Sequence, residues 1–439
     1  MLAMEFPPQN PPCFEGLTPE KIIAETEEII SATSALHDQL ATTFIPAIAT
    51  YENVVRPLVD DGNRTACRLV ILSVLLAQLS PSVKVRQAAR QAELKIASAN
   101  ARNLMRHDVA ALVFAVYDRE TSTPSGDLDV QDRHLLSSMR SKYVRSGAGL
   151  RTDEERERFR IASDELSQIC AAAQDTFVEP EDGIWFERAE LAGVPDAFLA
   201  TMLQDGTHVQ VTFRRNHIAA VLAYATSSDT RRRLTIADWH RLPENITRLE
   251  KAVALRDEIA RLLGYEHHAA LKMESRMATS VIHVKVQLED LHYRLKPVAQ
   301  LQTDRLLKLK RKDLVNEKEP VTELYSWDIS YYSRQQNRDK PLVIHPPIAE
   351  FFEARHTLQA MLTLFHDLFG MEFRPTTASV WHDSVTPYQV WDTPSEGGDF
   401  LGYLYTDLFE REGKYRGAHC ITIQPVSPHL QMTSHLFDG

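Results

Sequence analysis

The residues with the most obvious chemical reach are the 17 histidines and 4 cysteines. A catalytic zinc site built on HExxH works because two histidines four residues apart share one helix face and can hold one ion. The glutamate between them then reaches the metal-bound water. No histidine in the chain opens HExxH or HxxEH. The nearest cluster is Glu266-His267-His268. Adjacent helical side chains diverge by about 100°, so this pair reads as a helix end or surface feature rather than a chelate. His429 and His435 have no matched acidic partners around them. Cys13, Cys67, Cys170 and Cys420 form no CxxC pair and no zinc-finger spacing, which fits a reduced, cytoplasmic protein. The sequence therefore leads us to expect no metal bound to this chain.

Other chemistries are excluded on similar grounds. GxxxxGK[ST] and GxSxG are absent, and Gly147-Ala148-Gly149 reads as a turn. The formal net charge of -11 argues against a nucleic-acid partner. The densest basic run, Arg305, Lys308, Lys310, Arg311 and Lys312, reads as a solvated helix face. The longest apolar stretch, Leu69 to Leu79, is too short for a membrane span, and Met1 to Phe14 is no secretory signal.

The elements that must position any site are mostly helical. Only 16 glycines occur in 439 residues, and Ala, Leu, Glu, Arg and Gln fill the long segments. Thr18-Pro19 reads as an N-cap followed by proline at the first helical position. Helical patterns follow from there to Leu40, over Arg86 to Met105 and over Thr152 to Ala173. The spacing predicts a helix from Arg248 to Leu263 closed by Gly264, with Asp257 and Arg261 paired across one turn. Another runs from His356 to Phe369 and closes at Gly370. After Arg374 the period changes. Tyr388 to Asp392, Phe400 to Phe409 and Ala418 to Gln424 read as an antiparallel meander separated by turns at PSEGGD and Glu410 to Gly413. The expected organisation is an N-terminal helical region over 1–150, a helical body over 151–375, a β meander over 376–425 and an irregular tail over 426–439.

A series of strings, in order along nearly the whole chain, resembles the zinc oligopeptidases of the thimet oligopeptidase family, M3, and its saccharolysin-like branch. FLGYLYTDLFEREGKYRGAHCITIQP, Phe400 to Pro425, is similar to the family's GYxYxDLxxREGKYxHAA stretch. TYENVVRPL, Thr50 to Leu58, resembles TFENVLxPL, and RHLLSSMRSKYVRSGAGL, Arg133 to Leu150, resembles a family helix. ALRDEIARLLGYEHHAALKMESRMA, Ala254 to Ala278, resembles the family's LRxExAxLLGY segment, and Trp327-Asp328 with Tyr331-Tyr332 matches WDxxYY.

The resemblance implies a mainly α fold, a helical ellipsoid with a channel plus a small antiparallel β meander near the C-terminus. It implies a zinc-dependent oligopeptidase acting on short peptides, with zinc as cofactor of the complete family protein and with no nucleic acid or membrane partner. A precursor peptide of a dedicated pathway is one form such a substrate could take. In the family the meander flanks the cleft. Gly402, Tyr403, Asp407, Arg411, Lys414 and Tyr415 are therefore the substrate-contact residues that the resemblance implies. The tail SPHLQMTSHLFDG does not resemble the family's continuation. The expectation is that the zinc-binding segment is missing from this chain. The alternatives are an inactive peptide- or partner-binding remnant and a truncated gene product.

Overall fold

The computed structural model describes residues 10–124, 126–177, 182–278, 280–314, 322–338, 348–415 and 417–424. The tail after 424, with His429 and His435, lies outside the described residues. The chain divides into two compact units, one formed by 1–149 with 347–439 and the other by 150–346. Residues 347–375, expected within the helical body, thus belong with the first 149 residues.

The first unit opens with α1 (Pro19–Thr43), whose start is capped by the Thr18 side chain accepting from the Lys21 amide. Ile22, Ile29 and Leu40 are its buried face. A π turn at Tyr51–Val55 leads into α2 (Arg56–Val70), and a second π turn at Ile71–Leu75 leads into α3 (Leu76–Leu79). The apolar run around Leu72 is a core segment, with Ile71, Leu72, Leu75 and Leu76 all buried. α4 (Val83–Leu104) presents Ala88, Ala89 and Ala92 to them. Alanine at that seam allows helices to approach closely. α5 (His107–Ser122) and α6 (Val130–Arg145) build a second cluster with Tyr51, Val54, Val113 and Tyr143.

The second unit starts with α7 (Asp153–Asp175), entered through a reciprocal capping box between Thr152 and Glu155. A three-stranded antiparallel sheet then forms from β1 (Gly183–Glu187), β2 (Leu203–Asp205) and β3 (His208–Thr212), with α8 (Asp196–Leu199) between the first two. α9 (Arg215–Tyr224) and α10 (Ser228–Trp239) follow; Phe186, Val209, Val211, Val221 and Leu234 make the core. α11 (Glu244–Leu262) matches the expected helix, and Gly264 follows at φ +84°. Its Asp257–Arg261 pair forms at 2.7 Å. α12 (His268–Met273) has His267 as its N-cap, the ring accepting from the Ala270 amide at 3.0 Å. The 33-residue α13 (Val281–Asp313) and α14 (Ser326–Arg338) complete the unit.

The chain then returns to the first unit with α15 (Ala354–Phe369), stopped at Gly370 in the left-handed conformation. A second sheet follows, ordered β4 (Met371–Pro375), β5 (Thr386–Asp392), β6 (Phe400–Thr406). It is antiparallel throughout. The fold is mainly helical with a small antiparallel sheet near the C-terminus, as expected. The details of that sheet differ. Its third strand is Met371–Pro375, whereas 418–424 carries no strand.

Candidate functional site

Sheet β4-β5-β6 is where the contact residues named from the sequence gather. Leu358 and Leu362 of α15 pack with Phe373, Tyr388 and Leu404 on one face. On the other, Tyr405 stands among Phe14 and Trp381, ring centroids 5.8 and 5.7 Å away. Successive strand residues point to opposite faces, so one short segment serves both packings. β6 pairs with β5 on one side, and among the described residues no strand pairs with its other side.

A bulge interrupts the β5–β6 ladder. Val390 pairs with Gly402 and Trp391 with Phe400, leaving Leu401 as the extra residue. Gly402 takes φ +152°, a conformation that side chains disfavour, and a Cβ built there meets nothing within 4 Å. The glycine therefore serves the backbone bend and leaves open space over the strand. Tyr403 is half-buried, edge-on to Phe400 at 5.2 Å, and burial pushes its phenol up.

Asp407, Arg411 and Lys414 are engaged with one another. Both Arg411 Nη atoms donate to the Asp407 carboxylate, at 2.7 and 2.8 Å, and Lys414 Nζ donates to it at 2.8 Å. Trp381 Nε1 adds a fourth hydrogen bond at 3.0 Å. Arg411 also donates to the Leu79 carbonyl, and Lys414 to the carbonyls of Asp407 and Phe409. The side chains are 9, 11 and 12% exposed respectively. Burial by itself raises the Asp407 pKa, but the hydrogen bonds from Arg411, Lys414 and Trp381 outweigh it and hold the carboxyl at about 2. This is an ion knot that closes the turn after β6. Tyr415 is exposed, edge-on to His419 at 5.7 Å, with its amide donating to the Gln78 carbonyl at 2.8 Å. The structure thus brings Asp407, Arg411 and Lys414 into mutual contact and places Gly402 and Tyr403 on β6, the edge strand of the described sheet.

The second unit holds a comparable knot that the sequence reading did not find. Asp328, fully buried, receives Arg231 Nη2 at 2.9 Å, Lys310 Nζ at 2.7 Å and the Tyr325 amide at 3.2 Å. Arg231 lies over the Tyr331 ring at 4.2 Å, and Lys310 over Tyr325 at 4.7 Å. Burial pushes the Asp328 carboxyl up, and the bonds from Lys310 and Arg231 bring it below its ordinary value. Lys310 is therefore not on a solvated face; it is 6% exposed because a buried carboxylate awaits it. The WDxxYY string was the available signal.

The donor set among the described residues does not fit a zinc ion. HExxH is absent from the sequence, and among the described residues no group of three or more His, Cys, Asp or Glu is arranged to hold a metal. No described helix is long and apolar enough to cross a membrane.

Comparison with known proteins adds what geometry alone does not. The profile described as Peptidase family M3 matches residues 221–437, so the match extends into SPHLQMTSHLFDG, the segment that the sequence reading sets outside the family. Oligopeptidase PhomG' of Diaporthe leptostromiformis is 28% identical over 412 residues, 90% of this chain and 34% of its own length. Saccharolysin of Saccharomyces cerevisiae is 28% identical over 423 residues, 93% of this chain and 58% of its own. A probable thimet oligopeptidase of Arabidopsis thaliana is 28% identical over 412 residues, with 93% and 56% covered. The chain spans about half the length of most of these curated relatives and about a third of the first.

Proposed function

This chain belongs to peptidase family M3, and we propose on that premise that it serves the hydrolysis of short peptides, with the outer edge of β6 holding the peptide in extended form. The observation that carries the reading is the open space over Gly402 on β6, the last strand of the sheet, whose outer side pairs with no strand among the described residues. A strand edge offers a row of backbone donors and acceptors, and an extended peptide satisfies them as one more strand. The names of the three relatives, all oligopeptidases or saccharolysin, point to the same substrate class.

The role of this chain's residues is binding and orientation. Gly402 and Tyr403 form the contact surface; Asp407, Arg411 and Lys414 fix the turn that ends the strand; Tyr415 stands exposed beside it. The family resemblance implies zinc, which would supply Lewis-acid activation of water, but the described residues do not fit it. The zinc ligands would come from the part of the family's length that this chain does not match.

The test uses a labelled short peptide and the same sequence N-methylated at alternate amides. Anisotropy titration against the purified chain is expected to show binding that weakens about tenfold or more on methylation, because strand addition needs those N–H groups. Equal affinity for both peptides, or binding of neither, would remove the edge from the proposal. Repeating the titration with mixed peptides and with single sequences separates a general pool from one dedicated precursor.

A further inference from the structure

The first two-thirds of α13 is the most exposed helix face in the described residues that no site uses. Val281, Val284, Leu288, Leu291, Leu295 and Val298 follow one another at spacings of three, four, three, four and three. Leu288, Leu291, Leu295 and Val298 are 59, 49, 52 and 64% exposed. An amphipathic helix of a globular domain normally turns such a stripe into its own core. Among the described residues, the helix is anchored chiefly near its other end, where Leu306 and Lys310 are buried with α14 residues. A strict three-and-four alternation is the pattern by which one helix packs into the holes of another. The start of the stripe already forms a shallow groove lined by Val281, Val284, Lys285, Leu288, Glu289 and His292.

The flanks say what kind of helix fits. Written as heptads with Val281 at the first position, the seam is bordered by Lys285 and His292 on one side and by Gln287 and Arg294 on the other. No carboxylate occupies these flanking positions over this stretch. Glu289, which also lines the groove, and Asp290 stand outside those positions and pair with Lys285 at 4.0 Å and Arg294 at 2.9 Å. Those pairs are all at least half exposed, hold little energy in water and are easily exchanged. A second copy of this helix would set cations against cations or neutral residues, whichever way it ran. A helix with carboxylates on its flanks would meet Lys285 and Arg294 with opposite charge.

We propose that this face docks a helix from the part of the M3 fold that this chain does not match, one carrying its own three-and-four apolar stripe flanked by Asp and Glu. The proposal rests on the family membership and on the large fraction of each relative that the chain leaves unspanned, and not on the peptide-edge reading. The partner stripe would cover Leu288, Leu291, Leu295 and Val298, and its carboxylates would take Lys285 and Arg294.

The probes are synthetic peptides of about four heptads. One set tiles the portion of saccharolysin that lies outside the matched span. Two designed peptides share one leucine seam, one with Glu and one with Lys on both flanks. Binding to the full 439-residue chain is read by anisotropy. The expected result is that the Glu-flanked peptide binds about tenfold or more tighter than the Lys-flanked one. The saccharolysin segments that bind should be those with acid-flanked stripes. Leu288→Lys with Leu295→Lys should abolish binding while leaving thermal unfolding unchanged, since both residues are exposed. Indifference to flank charge, binding that survives the double variant, or failure of every saccharolysin segment overturns the proposal. So does concentration-dependent dimerisation of the chain that the double variant abolishes, because the occupant would then be a second copy.

Discussion

Asp407→Asn is the substitution that separates an internal role of the ion knot from a direct contact with substrate. The change keeps size and shape but removes the negative charge. Arg411 and Lys414, 11 and 12% exposed, then remain as two positive groups facing an amide. Two routes give the magnitude. Asp407 sits at about 2 against an ordinary 3.8, a difference equivalent to about 2 kcal/mol between its charged and protonated forms. Removing one partner of a buried pair costs about 3–5 kcal/mol, since the remaining charge is left unpaired. The first route counts only the charge, and the second includes the stranded cations. The expected loss is therefore about 2–4 kcal/mol in urea unfolding of the unit that contains the sheet.

The pH dependence follows from the lowered pKa. A carboxyl depressed in the folded state contributes stability that is fully present above its unfolded value and lost as pH falls through the folded value. The gap between wild type and Asp407→Asn should be constant above about pH 4 and close toward pH 2. The double variant Asp407→Asn with Lys414→Met should recover part of the loss, because one stranded cation is gone. If Asp407→Asn unfolds within about 0.5 kcal/mol of wild type and instead loses peptide binding, the knot is a contact site and the internal reading is refuted.

Asp328→Asn should be more damaging, about 3–5 kcal/mol, because Arg231 at 1% and Lys310 at 6% exposure are stranded together; chemical denaturation of the second unit checks this. Gly183→Ala should destabilise by about 1–3 kcal/mol, since its Cβ would come within 2.3 Å of the Val211 carbonyl oxygen across the β1–β3 ladder, and a tryptophan-fluorescence melt would show it through Trp185. Elemental analysis after dialysis should find zinc well below one per chain, and one equivalent retained would reveal a site that neither HExxH spacing nor the described residues display.

Helices with a buried stripe and a defined stop were legible in the sequence. α15 ends where Gly370 turns left-handed, and α1 begins where Thr18 caps it. Both signals are local: a three-and-four period and one residue with a special backbone or side-chain role. The sheets were harder to read because strand pairing is not local. Ile421 and Ile423 alternate with Thr422 like a strand, yet Ile423 packs against the helical core and forms no ladder. The actual partner, Met371–Pro375, ends in proline and has only five residues, so its period is too short to declare itself. The sheet of β1, β2 and β3 escaped for the same reason, although Val209 and Val211 alternate after the Asp205-Gly206 turn. Lys310 illustrates the limit for charge. Its neighbours along the helix are solvated, and only the fold brings a carboxylate 18 residues away to within 2.7 Å.

The two ion knots share a composition and differ in what they join, which decides how each bears on function. Asp407 gathers cations four and seven residues along the chain, so its free energy is stored in one turn. That turn begins where β6 ends, and Trp381 and the Leu79 carbonyl tie it to the helical core. The edge strand β6 is consequently held at its end by charge and along its length by Leu404 and Tyr405, while the space over Gly402 stays open. Rigid support beneath an unpaired edge is what strand addition requires, since a peptide that also had to order the strand would lose affinity to that ordering. Asp328 instead draws Arg231 from α10 and Lys310 from α13 across separations of 97 and 18 residues. It fixes the base of α13 in the second unit, so the apolar stripe that projects from that base is presented on an anchored helix. The proposed docking face would need the same preorganisation as the proposed binding edge, and in each unit a buried carboxylate with two cations supplies it.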